Sequence, residues 1–420
     1  MNGTSVQPLS LRIGIDATSA GIAGSAHTGV YQYIHQLIRE VGRQSPQSEL
    51  RLLFALPKRR HSASISDFCD ALDLPNAVPR RCPVPSKYLM RWRIPADLFT
   101  GPIDVFHAPA HIGCHLRRCP LVLTVHDLAY LRNLCSDRKP AGLSTQAASN
   151  WQDRRRFFSE LAQHMARSLA DAARVIAVSQ HTADDLVATL GVDRAKIRVV
   201  YPGLREGIRH IGSAARRLTL ERYGIEDGYF LYVGSLDPNK NIPVLIEAYA
   251  GYRQSKGRRL LVIAGNSDFF ASVLHEQCQR LGIESHVRFL GFVPDTDLPS
   301  LYSGACAVVM PSPLEGFGFP VIEAMACATP VIGANAGALP EVIGAAGLVV
   351  AHDRPPAFAE AFHQLEEDLG LRERLIEAGL RRVTDFTWKR AAQQTLGVYA
   401  DASARFAQRH GEFTGAGRRA

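Results

Sequence analysis

The chain has 420 residues, of which 46% are hydrophobic, so it is long enough for two domains of ordinary size and too apolar to be disordered. Its formal net charge of +8 favours anionic partners, and nucleic acid is not expected among them because no nucleic-acid-binding motif is present. The chain has no apolar run of about 18 residues, which argues against a transmembrane helix, and no N-terminal hydrophobic region, which argues against a signal peptide. The cysteines form no paired framework, which argues against a zinc site and favours a cytosolic protein.

The first predicted elements are a strand, a glycine-rich loop and a helix. Leu11–Asp16 is an apolar strand pattern, Gly21–Gly29 is rich in glycine, and residues 30–41 repeat apolar side chains at helical spacing. This succession is typical of the start of a Rossmann-like domain, although the loop is too irregular for a dinucleotide fingerprint. Thr28 and Gly29, at the entry to the helix, are candidate site residues, and an ordinary turn explains them equally well.

Two segments of the first half combine basic and aromatic residues. Arg80–Ile94 places five Arg and Lys residues beside Tyr88 and Trp92, and Trp151–Leu169 is an amphipathic helix pattern with an arginine cluster. Such a mixture is typical of surfaces that contact anionic lipid headgroups. The alternative is a solvated face above a stripe of core residues.

Another apolar strand, Leu121–Leu128, ends in a His-Asp pair. A histidine at the carboxyl end of a strand lies at the crevice where open α/β sheets bind ligands. His126 is therefore a candidate catalytic residue, and Asp127 is placed to orient or charge-pair its imidazole, whereas a purely structural histidine remains the alternative. Other elements predicted in this half are the strands Leu52–Leu56, Val105–Ala108, Arg174–Ser179 and Ile197–Val200 and the helix Gln180–Leu190.

The second half opens on a strand that ends in glycine, Gly228–Gly234, followed by a loop with one cation, Lys240. This lysine is placed to meet a bound anion, and a surface lysine is the alternative. Asp295 and Asp297 form a D-x-D sequence, a spacing known from metal sites, but they directly precede a helix pattern. The preferred interpretation is that one of them caps or charges the amino end of that helix. Other elements predicted here are the helices Pro243–Tyr252 and Leu298–Gly304 and the strands Arg259–Gly265 and His286–Pro294.

The most informative stretch is Ala307–Ile332. An apolar run at Ala305–Met310 predicts a buried strand, which is followed by a glycine loop, a short helix at Pro320–Cys327 and a second strand at Pro330–Gly333. Glu315 precedes the loop, and Glu323 lies in the helix. Backbone amides at a helix amino end favour phosphate, and carboxylates accept hydrogen bonds from pairs of hydroxyl groups. The pattern therefore indicates a site for a phosphorylated polyol, with a tight turn and a helix-dipole glutamate as the alternative.

The last part of the chain is predicted to be helical. Ala357–Val383 has a charged helical pattern, and a final helix begins near Phe386 and runs to about Phe406. Residues 409–420 are polar and contain glycine, which predicts a disordered tail.

Glu315 and Glu323, with seven residues between them, closely resemble the signature of the family 4 retaining glycosyltransferases. The resemblance implies an α/β protein of the GT-B fold, in which two Rossmann-like domains face a central cleft and the C-terminal helix crosses back to the first domain. The predicted segments are the acceptor-side domain 1–205, the donor-binding domain 206–385 and the crossover helix 386–408. Ala328 departs from the pattern, since glycine is usual there.

The resemblance also implies roles for individual residues. Glu315 would contact donor-sugar hydroxyls, Glu323 the ribose diol, and Lys240 the diphosphate. Ser235 and Asn239 stand where a second cation, an arginine, is common. The amides of Gly316, Phe317 and Gly318, beside Gly234, would bind the diphosphate, and the backbone of Phe292 and Val293 would contact the nucleobase. His126, beside Asp127, would contact the 6-hydroxyl of the sugar. Thr28 and Gly29 would line the acceptor side.

The expected reaction is hexosyl transfer with retention, without a metal or cofactor, from a nucleoside diphosphate sugar to a hydroxyl of a glycan or lipid-linked oligosaccharide. GDP-mannose is the first guess for the donor, and cell-surface polysaccharide such as lipopolysaccharide is the expected product. The enzyme is expected in the cytoplasm, peripheral to the inner face of the cell membrane with its anionic lipids. The alternatives are a GT-B nucleotide-sugar epimerase, a phosphorylase, or a catalytically silent nucleotide-sugar-binding module.

Overall fold

The computed structural model describes residues 10–22, 28–56, 62–110, 112–129, 131, 145–266 and 270–416. Contacts divide the chain into two compact units, one formed by Met1–Gly203 with Trp388–Ala420 and the other by Leu204–Thr387. The boundary lies two residues before the predicted one, so Arg205 belongs to the second unit. Within the described ranges, no helix is both long enough and apolar enough to span a membrane.

The first unit is built on a sheet of seven parallel strands in the order β3-β2-β1-β4-β5-β6-β7. The central strands β4 and β5 are buried along their whole length, as expected for a parallel sheet that is covered on both faces. The strands are β1 Arg12–Asp16, β2 Glu49–Phe54, β3 Ala77–Arg81, β4 Val105–Ala108, β5 Leu121–Val125, β6 Ala172–Ala177 and β7 Ile197–Val199. The helices are Gly29–Gln44, Ser62–Leu72, Ser86–Arg91, Asp97–Thr100, Thr145–Asp171, Gln180–Leu190 and Trp388–Ala416.

The second unit repeats the design with six parallel strands in the order β10-β9-β8-β11-β12-β13. The chain fills one side of the sheet outward from β8 and then the other side outward from β11. The strands are β8 Tyr229–Val233, β9 Leu261–Ala264, β10 Val287–Gly291, β11 Ala305–Met310, β12 Val331–Ala334 and β13 Gly347–Val350. The helices are Ser213–Arg222, Ile242–Gln254, Phe270–Arg280, Leu298–Gly304, Phe319–Ala326, Leu339–Ile343, Pro355–Glu367 and Leu369–Arg382.

The last helix, Trp388–Ala416, belongs to the first unit, as the predicted crossover requires. Trp388 is buried at its start, with its ring 5.6 Å from that of Tyr33. The helix continues past its predicted end near Phe406 to Ala416, residues 417–420 lie outside the described residues, and the disordered tail at 409–420 stays a prediction. Extending an existing helix adds one hydrogen bond for each residue that is fixed, which offsets the low helix propensity of the glycines in this segment.

Candidate functional site

The site in the second unit lies where the strand order of the sheet reverses, between β8 and β11. Because these strands are neighbours and parallel, the loops that follow them leave from the same edge of the sheet. The first loop carries Lys240 and the second carries Glu315. Lys240 Nζ lies 2.7 Å from Glu315 Oε1, and both side chains are largely buried. The two loops thus meet in a charge-assisted hydrogen bond at the place where open α/β sheets bind ligands.

Lys240 is held by the turn that surrounds it. Asp237 accepts a hydrogen bond from the Asn239 N–H and caps a short 3-10 turn that ends at Lys240. Asn241 then starts the next helix, and its amide donates to the carbonyls of Pro311, just after β11, and His352. The turn is therefore tied to the strand that precedes Glu315, which fixes the lysine against that carboxylate.

Glu315 is held through its backbone. Its carbonyl accepts a hydrogen bond of 2.8 Å from the Ala338 N–H. Gly337 has a φ of +61°, and a Cβ at this position would lie 2.7 Å from the Glu315 carbonyl oxygen. Only glycine permits both this conformation and this approach. Within the described residues, Glu315 Oε2 accepts no hydrogen bond, so one oxygen of the carboxylate keeps its acceptor capacity.

The loop amides lead into the helix Phe319–Ala326, as predicted. Gly318 is its N-cap at a φ of +91°, Pro320 lies in its first turn, and no described side chain caps this end. The Phe317 side chain is buried against Phe319 and Phe386, so it serves the core.

The predicted nucleobase segment and the strand-end glycine are also at the carboxyl edge of this sheet. Phe292 follows β10 and is half exposed, whereas Val293 is buried. Gly234 follows β8 and approaches the next strand closely, because a Cβ on Gly265 would lie 1.8 Å from the Gly234 carbonyl oxygen. This close approach of the two backbones requires glycine at position 265.

Glu323 is not at an open loop mouth but buried, with 3% exposure. Arg205 Nε and Nη2 both donate to Glu323 Oε1, at 3.1 and 2.8 Å, and the Tyr302 hydroxyl donates to Oε2 at 2.7 Å. Burial lowers the pKa of Arg205, but the charges of Glu323 and Asp295 raise it more, so the guanidinium stays charged. Burial, together with the charge of Glu323, raises the pKa of Tyr302 and keeps its hydroxyl a donor.

Sequence reasoning missed Arg205 and Tyr302. Arg205 lies 118 residues before Glu323, shortly after the Pro202-Gly203 turn, and no local pattern marks it. Its Nη1 also pairs with Asp295 Oδ1 at 2.8 Å. Arg205 is thus a second cation of this site, in a unit where Ser235 and Asn239 replace the expected arginine.

The aspartates of the D-x-D sequence are engaged by side chains. Asp295 pairs with Arg205, and Asp297 accepts from Arg222 Nη2 at 2.8 Å and from the Tyr223 hydroxyl at 2.7 Å. Asp297 is the N-cap residue of the helix Leu298–Gly304, but its side chain does not cap that helix, because its oxygens face Arg222 and Tyr223. The acidic residue is therefore at the amino end of the helix as predicted, but its side chain makes no capping hydrogen bond there. Within the described residues, no group of His, Cys, Asp and Glu is arranged to hold a metal ion.

His126 lies at the carboxyl edge of the first unit's sheet, directly after β5. Its Nε2 lies 2.8 Å from the Pro109 carbonyl, which only accepts, so Nε2 carries a hydrogen and Nδ1 is the acceptor nitrogen of the neutral ring. The ring packs edge-on against Tyr33, with centroids 4.7 Å apart. Asp127 does not orient this imidazole as predicted, because its Oδ1 accepts from the Ala129 N–H at 3.0 Å and caps the next turn.

The predicted acceptor-side residues form the start of the helix Gly29–Gln44. Thr28 is its N-cap, and its hydroxyl accepts from the Tyr31 N–H at 3.2 Å. Gly29 is the first helical residue. Most of the glycine-rich loop before them, residues 23–27, lies outside the described residues.

The basic and aromatic segment Arg80–Ile94 forms the end of β3 and the helix Ser86–Arg91. Trp92 is 63% exposed and stacks on Tyr88 with centroids 4.8 Å apart, while Lys87 Nζ lies 4.8 Å from the Tyr88 ring. The other candidate, Trp151–Leu169, is part of the helix Thr145–Asp171, but the side chains of residues 151–155 and 157 lie outside the described residues. The first segment therefore presents a basic aromatic surface.

Family models match both halves of the chain. One, described as glycosyl transferases group 1, matches residues 221–382, and the other, described as Glycosyltransferase Family 4, matches residues 28–206. The first match contains Lys240, Glu315 and Glu323, and the second contains His126.

Relatives and solved structures agree with these matches. The chain is 30% identical over 298 residues to the O-antigen chain mannosyltransferase B of Escherichia coli. The aligned region covers 70% of this chain and 74% of the relative. It is 31% identical over 312 residues to the D-inositol 3-phosphate glycosyltransferase of Salinispora arenicola, and this aligned region covers 70% of this chain and 66% of that relative. The crystal structure of Anabaena Alr3699/HepE in complex with UDP and glucose has a TM-score of 0.65 at 19% identity, over 93% of this chain and 100% of that one, and shares its fold.

Proposed function

This chain belongs to glycosyltransferase family 4, and we propose that it transfers a hexose from a nucleoside diphosphate sugar to a hydroxyl group of a glycan or lipid-linked oligosaccharide. One observation carries the proposal. At the strand-order reversal of the second unit, Lys240 and Glu315 are paired at 2.7 Å beside the glycine loop that opens the helix Phe319–Ala326. A cation, a row of amides and a carboxylate with one unoccupied oxygen are what a diphosphate joined to a sugar requires.

The chemical demand is the departure of a diphosphate while positive charge develops on the sugar. The Lys240 ammonium and the backbone amides of Gly316–Gly318 would stabilise the leaving charge from fixed positions, without reorganisation during the reaction. Because these groups already supply the neutralising charge, we propose that transfer proceeds without a divalent metal.

The two glutamates would divide the recognition of the donor. Glu315 Oε2 accepts no hydrogen bond within the described residues and would receive one from a sugar hydroxyl. Glu323 Oε1 already accepts two hydrogen bonds and Oε2 one, and a carboxylate oxygen has room for about two. Glu323 Oε2 would therefore take one ribose hydroxyl, while Arg205 holds the carboxylate in place. His126 would contact the transferred sugar, as the family resemblance implies.

We propose that the anomeric configuration is retained. The bond between the anomeric carbon and the phosphate oxygen breaks, the acceptor oxygen bonds to that carbon, and the acceptor proton passes to an oxygen of the departing phosphate. No carboxylate of the described site is assigned as a nucleophile on the opposite face of the sugar, so we expect no stable glycosyl-enzyme, unlike in retaining hydrolases.

The donor and the location are finer proposals. GDP-mannose is the first choice, because the Escherichia coli relative is named as an O-antigen chain mannosyltransferase. The Anabaena neighbour was crystallised with UDP and glucose, so UDP-glucose is the second donor to test. We propose that the acceptor is a precursor of cell-surface polysaccharide and that the enzyme works in the cytoplasm at the inner face of the membrane.

The test incubates the purified chain with GDP-mannose, UDP-glucose or UDP-N-acetylglucosamine, with and without a polyprenyl-diphosphate-linked oligosaccharide, and measures nucleoside diphosphate release. We expect release with one donor, dependence on acceptor, no loss with EDTA, and a product with the donor's anomeric configuration by NMR. Glu315→Gln is the matched inactive control.

The same assay separates the other functions. An epimerised donor would indicate an epimerase, and a sugar 1-phosphate formed from a glycan and inorganic phosphate would indicate a phosphorylase. A thermal shift with a donor but no turnover with any acceptor would indicate a silent binding module. Any of these results would overturn the proposal of transfer.

A further inference from the structure

A cavity of about 380 Å³ lies in the first unit, at the edge of the sheet where β5, β6 and β7 begin. Its walls include Leu121 and Ala172, the first residues of β5 and β6, and Lys196, which directly precedes β7. His126 and Thr28 lie at the opposite, carboxyl edge of the same sheet. The cavity is therefore separate from the candidate site, and its volume is that of a small-molecule pocket.

The charge lining the cavity is unbalanced toward positive. Arg174, Lys196, Arg405 and Arg409 line it, against the carboxylates of Asp171 and Asp193. The two carboxylates have partners already, because Asp171 accepts from Arg93 Nη2 at 2.8 Å and Asp193 caps the turn before β7. Within the described residues, neither Lys196 nor Arg409 forms an ion pair. The lining therefore favours an anion.

Arg174 supplies an observation independent of this charge. The residue is 5% exposed, its Nε donates to Asp401 at 2.5 Å and its Nη1 to the Ala173 carbonyl at 2.7 Å. Its Nη2 is buried and has no hydrogen-bond partner within the described residues. Buried guanidinium hydrogens are normally satisfied, so this nitrogen lacks an acceptor that a ligand oxygen in the cavity would provide.

Asp401 also accepts from Arg405 Nε at 2.9 Å, so one carboxylate holds both arginines in place. The remaining wall is apolar except for His115, with Leu116, Pro120 and Phe406 beside Leu121. The cavity therefore offers guanidinium groups for an anion and an apolar surface for the body that carries it.

We propose that this cavity binds the phosphate monoester group of a small organic molecule, with the phosphate at Arg174, Lys196 and Arg405 and the organic part against the apolar wall. Arginine forks match the geometry of phosphate oxygens, and Lys196 and Arg409 add positive charge that no carboxylate pairs with within the described residues. The same group occurs on soluble metabolites and on the headgroup of an anionic lipid, and the experiment distinguishes these sources.

The test titrates the full chain with phenyl phosphate by calorimetry and compares Arg405→Gln/Arg409→Gln with the control Arg217→Gln/Arg381→Gln. The control removes the same charge from exposed arginines of the second unit, each paired with a glutamate one helical turn away. We expect the cavity variant to bind at least tenfold more weakly than wild type and the control to bind within twofold. Thermal unfolding checks that both variants are folded.

Two further variants keep the assignment specific. Lys240→Gln, in the candidate donor site, should leave phenyl phosphate binding unchanged, whereas Arg174→Lys, which retains the charge but removes Nη2, should weaken it. Equal affinity of the cavity variant and its control, or loss of binding in Lys240→Gln instead, would overturn the proposal.

The source of the phosphate is separated with vesicles of phosphatidic acid in phosphatidylcholine. If wild type binds these vesicles and the cavity variant does not, the phosphate group is that of a lipid headgroup. Phenyl phosphate binding without vesicle binding assigns it to a soluble molecule. Failure of both probes to bind wild type would end the proposal, and neither outcome bears on glycosyl transfer, which is measured with nucleotide sugars.

Discussion

Lys240 Nζ and Glu315 Oε1 are 2.7 Å apart, although 75 residues separate them in the chain. The cation expected to neutralise a diphosphate and the carboxylate expected to hold a sugar therefore neutralise each other in this structure. A donor that binds here would add phosphate charge to Lys240 while Glu315 turns its second oxygen to a hydroxyl. The pair keeps two functional charges in place at little electrostatic cost.

This pairing predicts different defects for its two members. Lys240→Gln should weaken nucleoside diphosphate binding about tenfold, because a charge-assisted contact to phosphate is lost. Glu315→Gln should lower kcat about a hundredfold and change nucleoside diphosphate affinity much less, because its contacts are to the transferred sugar. Calorimetry with GDP and UDP and steady-state kinetics with the active donor measure both effects.

The double variant Lys240→Gln/Glu315→Gln tests whether the pair acts as a unit. Residues in direct contact are expected to show a coupling free energy of about 0.5–3 kcal/mol. Single effects on kcat/KM that simply add would show that the contact has no part in catalysis.

The Arg205–Glu323 pair predicts a stability defect in addition to a binding defect. Arg205→Met leaves a buried carboxylate without its cation and should lower the free energy of unfolding by about 3 kcal/mol. Arg205→Met/Glu323→Leu removes both charges and should recover at least half of that loss, while nucleotide binding stays weak because the ribose ligand is gone. Urea unfolding and calorimetry with the nucleoside diphosphate give the two quantities.

Arg381→Met is the matched control for this pair. Arg381 pairs with Glu377 at 3.5 Å, and the two side chains are 72% and 70% exposed. Exposed ion pairs contribute about 0–1 kcal/mol, so this variant should be nearly neutral. If Arg205→Met were as mild as Arg381→Met, the buried pair would not hold Glu323.

Buried strands and glycine-marked turns could be predicted from the sequence. Val105–Ala108 and Ala305–Met310 have the predicted bounds because strands covered on both faces read as unbroken apolar runs. The edge strands β3 and β13 were not predicted, since Ala77–Arg81 is short, partly exposed and interrupted by proline and arginine, and Gly347–Val350 has four residues.

The candidate site likewise has residues that could be predicted from the sequence and contacts that could not. Glu315 and Glu323 could be found because a glycine loop and a helix bracket them locally. The Lys240–Glu315 contact depends on β8 and β11 being neighbours, and the Arg205–Glu323 contact depends on a segment that enters the second unit from a turn. Neither relation leaves a periodic trace in the sequence, so both required the fold.

Ala328 predicts a stabilising substitution. It follows the helix Phe319–Ala326 at a φ of +57°, where residues with a Cβ are strained. Ala328→Gly should raise the free energy of unfolding by about 0.5–1 kcal/mol, as measured by urea unfolding. Ala326→Gly, within the helix, should lower it by a similar amount. A loss of stability in Ala328→Gly would contradict the assigned backbone conformation.

The exposed Trp92 predicts contact with anionic membranes. Wild type should co-sediment with phosphatidylglycerol vesicles more than with phosphatidylcholine vesicles, and Trp92→Ala should reduce the bound fraction about fivefold. Leu369→Ala, at a similarly exposed apolar residue of the second unit, is the control and should bind like wild type. Equally negligible binding of wild type to both kinds of vesicle would remove the membrane surface from the proposal.

His107 predicts how the stability of the first unit depends on pH. The residue is fully buried on β4, with Nδ1 2.7 Å from the Tyr399 hydroxyl and Nε2 2.7 Å from Thr124 Oγ1. Burial, with a smaller contribution from His126, lowers the pKa of His107 to about 3. Tyr399 belongs to the last helix, so this neutral imidazole links that helix to the sheet of the first unit.

Between the ordinary histidine pKa of about 6.5 and the folded value, the unfolded chain binds one more proton at this residue than the folded chain. The free energy of unfolding therefore decreases as the pH falls, by about 1.4 kcal/mol per pH unit from this histidine. Between pH 7 and pH 5 the contribution is about 2 kcal/mol, because titration begins near 6.5. His107→Gln keeps a donor and an acceptor but does not titrate. Urea unfolding of this variant should therefore show a decrease in the free energy of unfolding between pH 7 and pH 5 that is about 2 kcal/mol smaller than in wild type. An unchanged pH dependence would mean that His107 is protonated, or solvated, in the folded protein.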